Sequence, residues 1–593
     1  MTERPIGRDV LARDRFSRLI SLGDRKDPLS WSPGLIISEI DPDIPVSIAP
    51  LISTLDSSSI PSTLKISTRA NLCYPFDSLD SWEMSQGLPL PPSLVESDSG
   101  DFGIGLETLP VSWNSLHHDQ SLLNIESQPS LIAIIDAPQL SNNRGMLERA
   151  LLTVRTRFPA SLIWAPGISG PDNCALLAWM GVDMFDLARS RHASALGVLL
   201  TEGGPRKAEP STGEEASMEA QCDSWARSIS ATRSAIRDGS LRELAERQST
   251  SSPRSVEHLR LHDKISYEFS KQVGITIGHA DPRQQLRCHS YVSRNDPQIR
   301  RWRDRVSDFH EPPSHQRDVL LLLPCSAKKP YKLSQSHSRF RRYIGTPKAH
   351  EVMVTSPLGL VPREIEELWP AAHYDIPVTG EWDVDELAVI EGMVNRIVER
   401  VGYSIVINHS GVDVAPPGAR VIDTRLGETA GSHDSLNRLQ DAIESTFAQI
   451  TDRKPTPNFR IEVLKSISMF QFGSDEWLER CEVRGRPPIL TIYKEGKQMA
   501  KWDPRRGRFS FSKHSLATLD ELGVLKRVEL LENSDWVGDI FPSNLLSHDA
   551  SIKSGDEVLV FQHGALVGSA RAIAPGWEWP HGPGRLAKSR HRL

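Results

Sequence analysis

Four consecutive leucines, Leu320 to Leu323, end at Pro324 and lead directly into a dense group of reactive side chains. A short apolar run bounded by a turn signal is typical of a fully buried strand in a parallel sheet. Ligands of open α/β sheets gather beyond the carboxyl ends of such strands. The pattern therefore predicts an α/β domain whose functional site lies at the end of this strand. The reactive group consists of Cys325, Ser326, Lys328, Lys329, Tyr331, Ser334, Ser336 and His337.

The length of the chain and its polarity limit the class of protein. A chain of 593 residues is too long for one hydrophobic core and should form roughly three to five domains. Its residues are 38% hydrophobic and 24% charged, as in soluble globular proteins. No uninterrupted apolar segment approaches the ~20 residues that a membrane helix needs, and the N-terminal residues contain no apolar signal core. We therefore expect a cytoplasmic protein that does not enter a membrane.

The cysteines and the charge exclude two further classes. None of the six cysteines forms a CxxC pair, so the sequence predicts neither a disulfide framework nor a zinc ribbon. A net charge of −7 argues against a protein that coats nucleic acid through bulk charge. Local basic surfaces remain available at residues 300–305, 339–342, 505–508 and 585–592.

The front of the chain changes character near residue 130. Residues 1–130 are rich in Ser and Pro and predict short strands and loops, to which we assign no chemistry. Beyond them, predicted strands alternate with predicted helices, which is typical of βαβ units. The predicted elements are strands at 131–136 and 162–165 and helices at 144–158, 173–180, 225–236 and 256–273.

A second α/β domain is predicted to begin near His315. In its long helix, Leu387, Ile390, Val394 and Ile397 recur at helical spacing. We expect a compact three-layer domain whose strand ends carry Cys325, Ser356, His409 and Ser410. Its further elements are predicted as strands at 351–356, 403–408 and 420–423 and helices at 384–401 and 434–450. A linker at 452–458 then leads to a small α+β segment and a final series of short strands.

The stretch PDNCALLAWMGVDMFDLARSRHASALGVLLTEGG, residues 171–204, resembles the late barrel segment of the tRNA-guanine transglycosylase family. This resemblance implies a modified TIM barrel. Members of that family carry a cysteine cluster and a histidine that hold zinc after this segment, whereas here residues 205–221 contain neither and only Cys222 follows. One thiolate cannot make a four-ligand site, so we expect no zinc there. Asp98 and Asp136 match the catalytic aspartates of the family only in short tripeptides, and we expect loop residues in an inactive barrel.

The end of the chain, WVGDIFPSNLLSHDASIKSGDEVLVFQHGALVGSARAI, resembles a PUA domain, a small β-barrel of RNA-modifying enzymes. Together with the preceding segments this gives a degenerate TIM-barrel-like front, a three-layer α/β core, a small α+β domain and a C-terminal β-barrel. The predicted boundaries are 1–275, 315–451, 455–522 and 525–593.

The reactive group itself fits the pattern P-C-S-x-x-K-P-Y-x-x-S-x-S-H at every fixed position. This pattern resembles the signature of the archaeosine synthase family, and SPLGLVPREIEELWPAAHYDIPVTGEW at residues 356–382 is similar to the core domain of the same family. The resemblance implies a reaction on tRNA that carries 7-cyano-7-deazaguanine in its D-arm. The side-chain amine of free lysine, a co-substrate, is joined to the nitrile carbon and gives an amidine-type adduct. In some members a radical SAM partner then cleaves the adduct to archaeosine.

Three residues of the pattern are the candidates for catalysis. A thiolate of Cys325 would add to the nitrile to give a thioimidate that an amine displaces, which is covalent catalysis. Because Lys328 and Lys329 lie nearby, we expect the pKa of Cys325 to be lowered. His337 is a candidate proton shuttle, and Lys329 is a candidate for catalysis or for binding a tRNA phosphate or the lysine carboxylate. Direct attack by lysine, with Cys325 only shaping the pocket, remains the alternative.

The remaining candidates bind substrate. Hydroxyl groups suited to orienting a nucleobase belong to Ser326, Tyr331, Ser334 and Ser336. Side chains expected to contact RNA phosphates belong to Arg339, Arg341, Arg342, Lys588 and Arg590. No resident cofactor or metal is expected, and the oligomeric state stays open, a homo-oligomer included. Two other functions compete with this hypothesis: a base-exchanging transglycosylase and a non-catalytic tRNA-binding subunit.

Overall fold

The computed structural model describes residues 9–23, 27–55, 64–68, 82–84, 108–124, 129–271, 285–377, 381–450, 458–532, 535–579 and 584–593. The chain divides into two compact units. The first contains residues 1–276, 529–554 and 572–588, and the second contains residues 277–528, 555–571 and 589–593. Among the described residues, no helix is long and apolar enough to cross a bilayer.

The first unit is built on an extended, mainly parallel sheet. The strands β4 to β11 form this sheet, whereas β1 to β3 form a second sheet and β12 with β13 a third. The strands of the unit are β1 (Asp9–Asp14), β2 (Ser17–Gly23), β3 (Pro28–Ser32), β4 (Gly34–Ser38), β5 (Leu51–Leu55), β6 (Leu64–Thr68), β7 (Trp82–Met84), β8 (Thr108–Val111), β9 (Leu131–Ile134), β10 (Leu162–Trp164), β11 (Met184–Asp186), β12 (Val198–Thr201) and β13 (Gly204–Lys207). Its helices are α1 (Trp113–His118), α2 (Gln120–Leu123), α3 (Ala137–Asn142), α4 (Met146–Arg157), α5 (Cys174–Met180), α6 (Ala188–Ala195), α7 (Met218–Asp238), α8 (Leu241–Ser249) and α9 (Pro253–Phe269).

The order β7-β6-β5-β4-β11-β10-β9-β8 gives this sheet a run of six parallel neighbours from β5 to β8. The βαβ units predicted from the sequence are confirmed, because β9, α4, β10 and α5 follow one another at the expected positions. Helix α8 was not predicted, because its short apolar pattern lies among polar residues. The assignment of this half-barrel sheet to a degenerate TIM barrel stays a prediction.

Of the two aspartates matched to the transglycosylase family, Asp98 lies outside the described residues. Asp136 is buried at the start of α3, where one carboxylate oxygen accepts the backbone N–H of Trp113 at 2.9 Å. Burial raises the pKa of Asp136. In the structure this side chain links β9 to α1.

The second unit contains the predicted core domain. Its strands are β14 (Leu286–Arg287), β15 (Val319–Pro324), β16 (His350–Thr355), β17 (Gly359–Pro362), β18 (Tyr374–Asp375), β19 (Ile405–Asn408), β20 (Arg420–Asp423), β21 (Glu482–Arg484), β22 (Leu490–Lys494), β23 (Lys497–Asp503) and β24 (Arg508–Phe511). Its helices are α10 (Pro297–Asp304), α11 (Gln335–Ile344), α12 (Val384–Val401), α13 (His433–Gln449), α14 (Phe459–Phe472) and α15 (Leu516–Glu521).

The C-terminal strands are β25 (Lys526–Leu530), β26 (Leu545–His548), β27 (Glu557–Gln562), β28 (Ala565–Ala572) and β29 (Ala587–Arg592).

The core sheet has the order β17-β16-β15-β19-β20, in which only β17 runs antiparallel to its neighbour. Alternate residues of β15 face opposite layers. Leu320 and Leu322 pack with α12, while Leu321 and Leu323 pack with α11 and α13. The predicted three-layer arrangement of this core is therefore observed, and the mixed α/β class is confirmed. Helix α10 and β14, which precede His315, contribute to the same core.

The C-terminal strands β27 and β28 form an antiparallel hairpin with partners from Glu557 and Arg571 to Gln562 and Ala565. Glu557 is buried in this hairpin, near the side chains of Arg571 and Arg590. The domain boundaries, including a separate PUA domain at 525–593, stay predictions.

Candidate active site

The reactive group lies at the carboxyl edge of the core sheet, as the sequence predicts. Pro324, the last residue of β15, pairs with Val354 of β16, and Leu322 pairs with Asn408 of β19. Parallel strands with this register end at the same edge. Residues that follow the three strands, Cys325 among them, are therefore brought to one edge of the sheet.

Cys325 is half-buried and hydrogen-bonded to the side chain of Thr355, the last residue of β16. Burial raises the pKa of the thiol, although Thr355 and the ammonium group of Lys329 act in the opposite direction. The expectation of a lowered pKa is therefore wrong. The loss of hydration destabilises the thiolate more than the charge of Lys329 stabilises it. Cys325 is therefore a protonated thiol at neutral pH.

Lys329 is held against the core rather than extended into solvent. Its Nζ lies 4.0 Å from the ring centroid of Tyr374, which is a cation–π contact. Burial lowers the pKa of Lys329, and nearby Cys325 and Asp375 partly offset this effect. An amine with a lowered pKa loses its proton more easily than a surface lysine and can act as a base. By contrast, Lys328 is exposed, as expected for a position outside the pattern.

Three hydroxyl groups form a hydrogen-bonded series, the hydroxyl chain, that leads to Cys325. The hydroxyl of Tyr331, which is fully buried, is 2.5 Å from that of Tyr374, and the Tyr374 hydroxyl is 2.6 Å from Oγ1 of Thr355. Burial raises the pKa of both tyrosines, so both keep their protons. Because Thr355 also bonds to Cys325, the chain connects the thiol to the interior of the domain.

His337 is buried on the first turn of α11, and its surroundings keep it neutral. Its Nδ1 lies 2.9 Å from a guanidinium nitrogen of Arg363, which also donates to Glu351 and Glu366. A guanidinium group only donates, so Nδ1 accepts and the ring proton resides on Nε2. Burial and the charge of Arg363 lower the pKa of His337 to about 3. This geometry supports a positioning role, and the proton-shuttle role stays a prediction.

The serines of the pattern bond mainly to the local backbone. Ser334 is the N-cap of α11, where its Oγ accepts the backbone N–H of His337 at 3.2 Å and lies 3.1 Å from Oγ of Ser336. Ser326 donates to the carbonyl of Lys328 at 3.0 Å. These contacts shape the loop around Cys325. A role in substrate binding stays a prediction for all three and for Tyr331.

The predicted RNA contacts lie on two elements. Arg339, Arg341 and Arg342 are exposed on α11, directly after the reactive group. Lys588 is exposed on β29, whereas Arg590 on the same strand lies 3.8 Å from the carboxylate of Glu557. Their contact with RNA stays a prediction.

Two parts of the site were not predicted as functional. Thr355 and Tyr374 complete the hydroxyl chain, and Arg363 with Glu366 fixes His337. The signal for the second pair was present in the sequence, because the charged run Arg363 to Glu367 directly follows the apolar run that forms β17. Only the fold reveals that β16 and β17 bring these residues to the reactive group.

Comparison with known proteins supports the resemblance to archaeosine synthases. A family model described as a domain of unknown function (DUF5591) matches residues 299–443, which contain the core sheet. The chain is 29% identical to archaeosine synthase subunit alpha of Methanosarcina acetivorans over 77% of this chain and 79% of that protein. It is 27% identical to archaeosine synthase of Methanocaldococcus jannaschii over 77% of this chain and 80% of that protein. A tRNA-guanine(15) transglycosylase of Methanobrevibacter smithii is 26% identical over 44% of this chain and 39% of its own length. The resemblance to archaeosine synthases is confirmed.

Proposed function

We propose that this chain is an enzyme of archaeosine biosynthesis that acts on tRNA. The complete reactive pattern at the carboxyl edge of the core sheet carries this proposal. It lies within a chain that is similar to archaeosine synthases along 77% of its length. The substrate follows from the resemblance: tRNA with 7-cyano-7-deazaguanine in its D-arm, and free lysine as the second substrate.

The reaction joins the side-chain amine of lysine to the nitrile carbon. In the first step the Cys325 thiol adds across the C≡N bond, so that sulfur bonds to carbon and the nitrogen gains one proton. In the second step the amine bonds to the same carbon and the C–S bond breaks. The sulfur recovers a proton from the amine, and the product is an amidine. Atoms and electrons balance without an oxidant, and the thiol is regenerated.

Lys329 provides the base that the first step needs. Since burial raises the pKa of Cys325, the thiol must give its proton to a neighbour before sulfur can attack. Burial of Lys329, which lowers the pKa of its amine, makes that amine a suitable acceptor. The resulting ammonium group stabilises the thiolate and then returns a proton to the imine nitrogen. The hydrogen-bonded hydroxyl groups of Thr355, Tyr374 and Tyr331 hold the thiol in position during these transfers.

The rest of the chain serves recognition of the tRNA. Exposed arginines of α11 border the reactive group and would contact phosphates near the target base. The C-terminal segment 525–593 acts as a PUA domain and anchors another part of the tRNA. The half-barrel front does not catalyse base exchange, and its shape contributes to recognition of the tRNA. We further propose that the enzyme works in the cytoplasm and supplies its adduct to a radical SAM partner.

The test is formation of the adduct by the purified chain alone. Isotope-labelled lysine is incubated with tRNA that carries the nitrile base, and the nucleosides are analysed by mass spectrometry. We expect label in a lysine adduct without any partner protein. Cys325→Ala should remove the adduct, whereas Cys481→Ala, a matched change at another half-buried thiol of the second unit, should leave its formation unchanged.

Other outcomes discriminate between the alternatives. Exchange of labelled guanine into tRNA, without a lysine adduct, would instead indicate a transglycosylase. Binding of tRNA without either reaction would indicate a non-catalytic subunit. An adduct formed by Cys325→Ala at the wild-type rate would disprove covalent catalysis but keep the function, because lysine would then attack the nitrile directly.

A further inference from the structure

Two histidines and a glutamate, none of which belongs to the reactive pattern, meet in the interior of the second unit. His310 follows α10 and a single π-helical turn, His350 begins β16, and Glu364 lies in the turn after β17. The Nε2 atoms of His310 and His350 lie 2.6 and 3.1 Å from Oε1 of Glu364. Their possible ligand atoms all lie within 4.8 Å of one another, and all three residues are buried.

We propose that His310, His350 and Glu364 bind a divalent cation, of which zinc is the best match. Imidazole nitrogens together with one carboxylate form a donor set of the kind that binds zinc and the neighbouring first-row metals. The site is independent of the absent cysteine cluster in the front of the chain, and it does not depend on the proposed function.

Hydrogen bonding inside the cluster leaves part of it unsatisfied. Among the residues that the structure describes, neither Nδ1 of His310 nor Oε2 of Glu364 has a hydrogen-bond partner, although both are buried. A buried carboxylate oxygen without a partner is unfavourable. A cation held by the Nε2 atoms and the carboxylate would give Oε2 of Glu364 a partner and offset the negative charge of this buried group.

The outer contacts of the cluster suit a metal centre. The hydroxyl of Tyr403 lies 2.6 Å from Nδ1 of His350, so the imidazole is fixed in orientation with its Nε2 directed at Glu364. Such a second contact on the far nitrogen is a regular feature of metal-binding histidines.

The cluster borders a cavity of the second unit through Glu364. Glu364 lines a cavity of about 700 Å³, whose wall also contains Lys332, Arg341, Arg363, Glu366 and Glu367. Glu364 is adjacent in sequence to Arg363, which fixes His337. The cation would therefore stiffen the turn that positions the reactive pattern.

Metal content provides the first test. The full-length chain, purified without metal-affinity steps, is dialysed against metal-free buffer and analysed by inductively coupled plasma mass spectrometry. We expect about one zinc ion per chain, as for a single mononuclear site. Glu364→Gln should lower the content at least ~10-fold. The matched control is His258→Ala, which breaks a buried His–Glu pair in the first unit; among the described residues, no second histidine bonds to the carboxylate of this pair.

A second test does not depend on the folding of a variant at the ligands. The wild-type chain is stripped with a chelator and titrated with Co²⁺ while its visible ligand-field bands are recorded. We expect bands typical of tetrahedral or five-coordinate cobalt, and Tyr403→Phe should weaken the affinity by roughly 10-fold. Absence of metal from the purified chain, together with no saturable binding of Zn²⁺ or Co²⁺ by the stripped chain, would overturn the proposal. Equal binding by wild type and Glu364→Gln would do the same.

Discussion

The partly buried guanidinium of Arg363 offers a quantitative test of how the reactive pattern is held. It contacts Glu351 at 2.8 Å, Glu366 at 3.0 Å and Nδ1 of His337 at 2.9 Å. The side chain of Glu366 is only 1% exposed, so Arg363→Leu leaves a buried carboxylate without its cation. Removing one partner of a buried ion pair costs about 3–5 kcal/mol, and we take about 3 because Arg363 itself is 18% exposed.

Hydrogen exchange measured by mass spectrometry gives this free energy locally. A loss of about 3 kcal/mol corresponds to roughly 100-fold faster exchange in peptides that cover α11 and the turn after β17. Adding Glu366→Gln to Arg363→Leu should restore part of the protection, because the amide carries no charge. The matched control is Arg396→Leu, whose pair with Asp308 is exposed and contributes at most about 1 kcal/mol. If Arg363→Leu accelerated exchange no more than this control, the proposed support of His337 would be refuted.

Three further predictions concern the reactive pattern. Lys329→Gln should slow adduct formation about 100-fold. It should also move the rising limb of the pH–rate profile to higher pH, because the cation that lowers the pKa of Cys325 is lost; Lys328→Gln should change neither quantity. Tyr374→Phe interrupts the hydroxyl chain and should slow the same reaction about 10-fold; it should also cost about 1–3 kcal/mol of stability, because the buried Tyr331 hydroxyl loses its partner. Ser334→Ala removes the N-cap of α11 and should cost about 1 kcal/mol, seen as faster amide exchange in the first turn of this helix.

The sequence predicted the core sheet well because its apolar pattern is local. Four leucines ending at a proline suffice to identify β15, and the helical spacing from Leu387 to Ile397 identifies α12. The edge of the sheet at which Cys325 lies follows from the direction of these strands. The antiparallel strand β17 was missed, because a four-residue apolar segment next to a charged run gives no periodic signal.

The pKa shifts of the residues in the site were not predictable from the sequence. Lysines close to Cys325 in sequence indicated a lowered pKa, but the sign depends on burial, which Thr355 and the elements around it impose. Likewise, nothing in the sequence around His337 indicates that Arg363, 26 positions later, donates to its Nδ1 and lowers its pKa. In both cases the charge state of a buried group is determined by residues that only the fold brings near it.

The turn after β17 contains both the residue that supports His337 and a residue of the proposed cation site, so the two roles can be tested together. Arg363 supports His337 of the reactive pattern, while its neighbour Glu364 belongs to the proposed cation site. If a cation stiffens this turn, stripping it with a chelator and replacing Arg363 by Leu weaken the same element. Their effects on exchange in α11 should then differ from additivity by about 0.5–3 kcal/mol. Strict additivity would show that the cluster and the support of His337 are energetically independent, so that any bound cation has no influence on the reactive pattern.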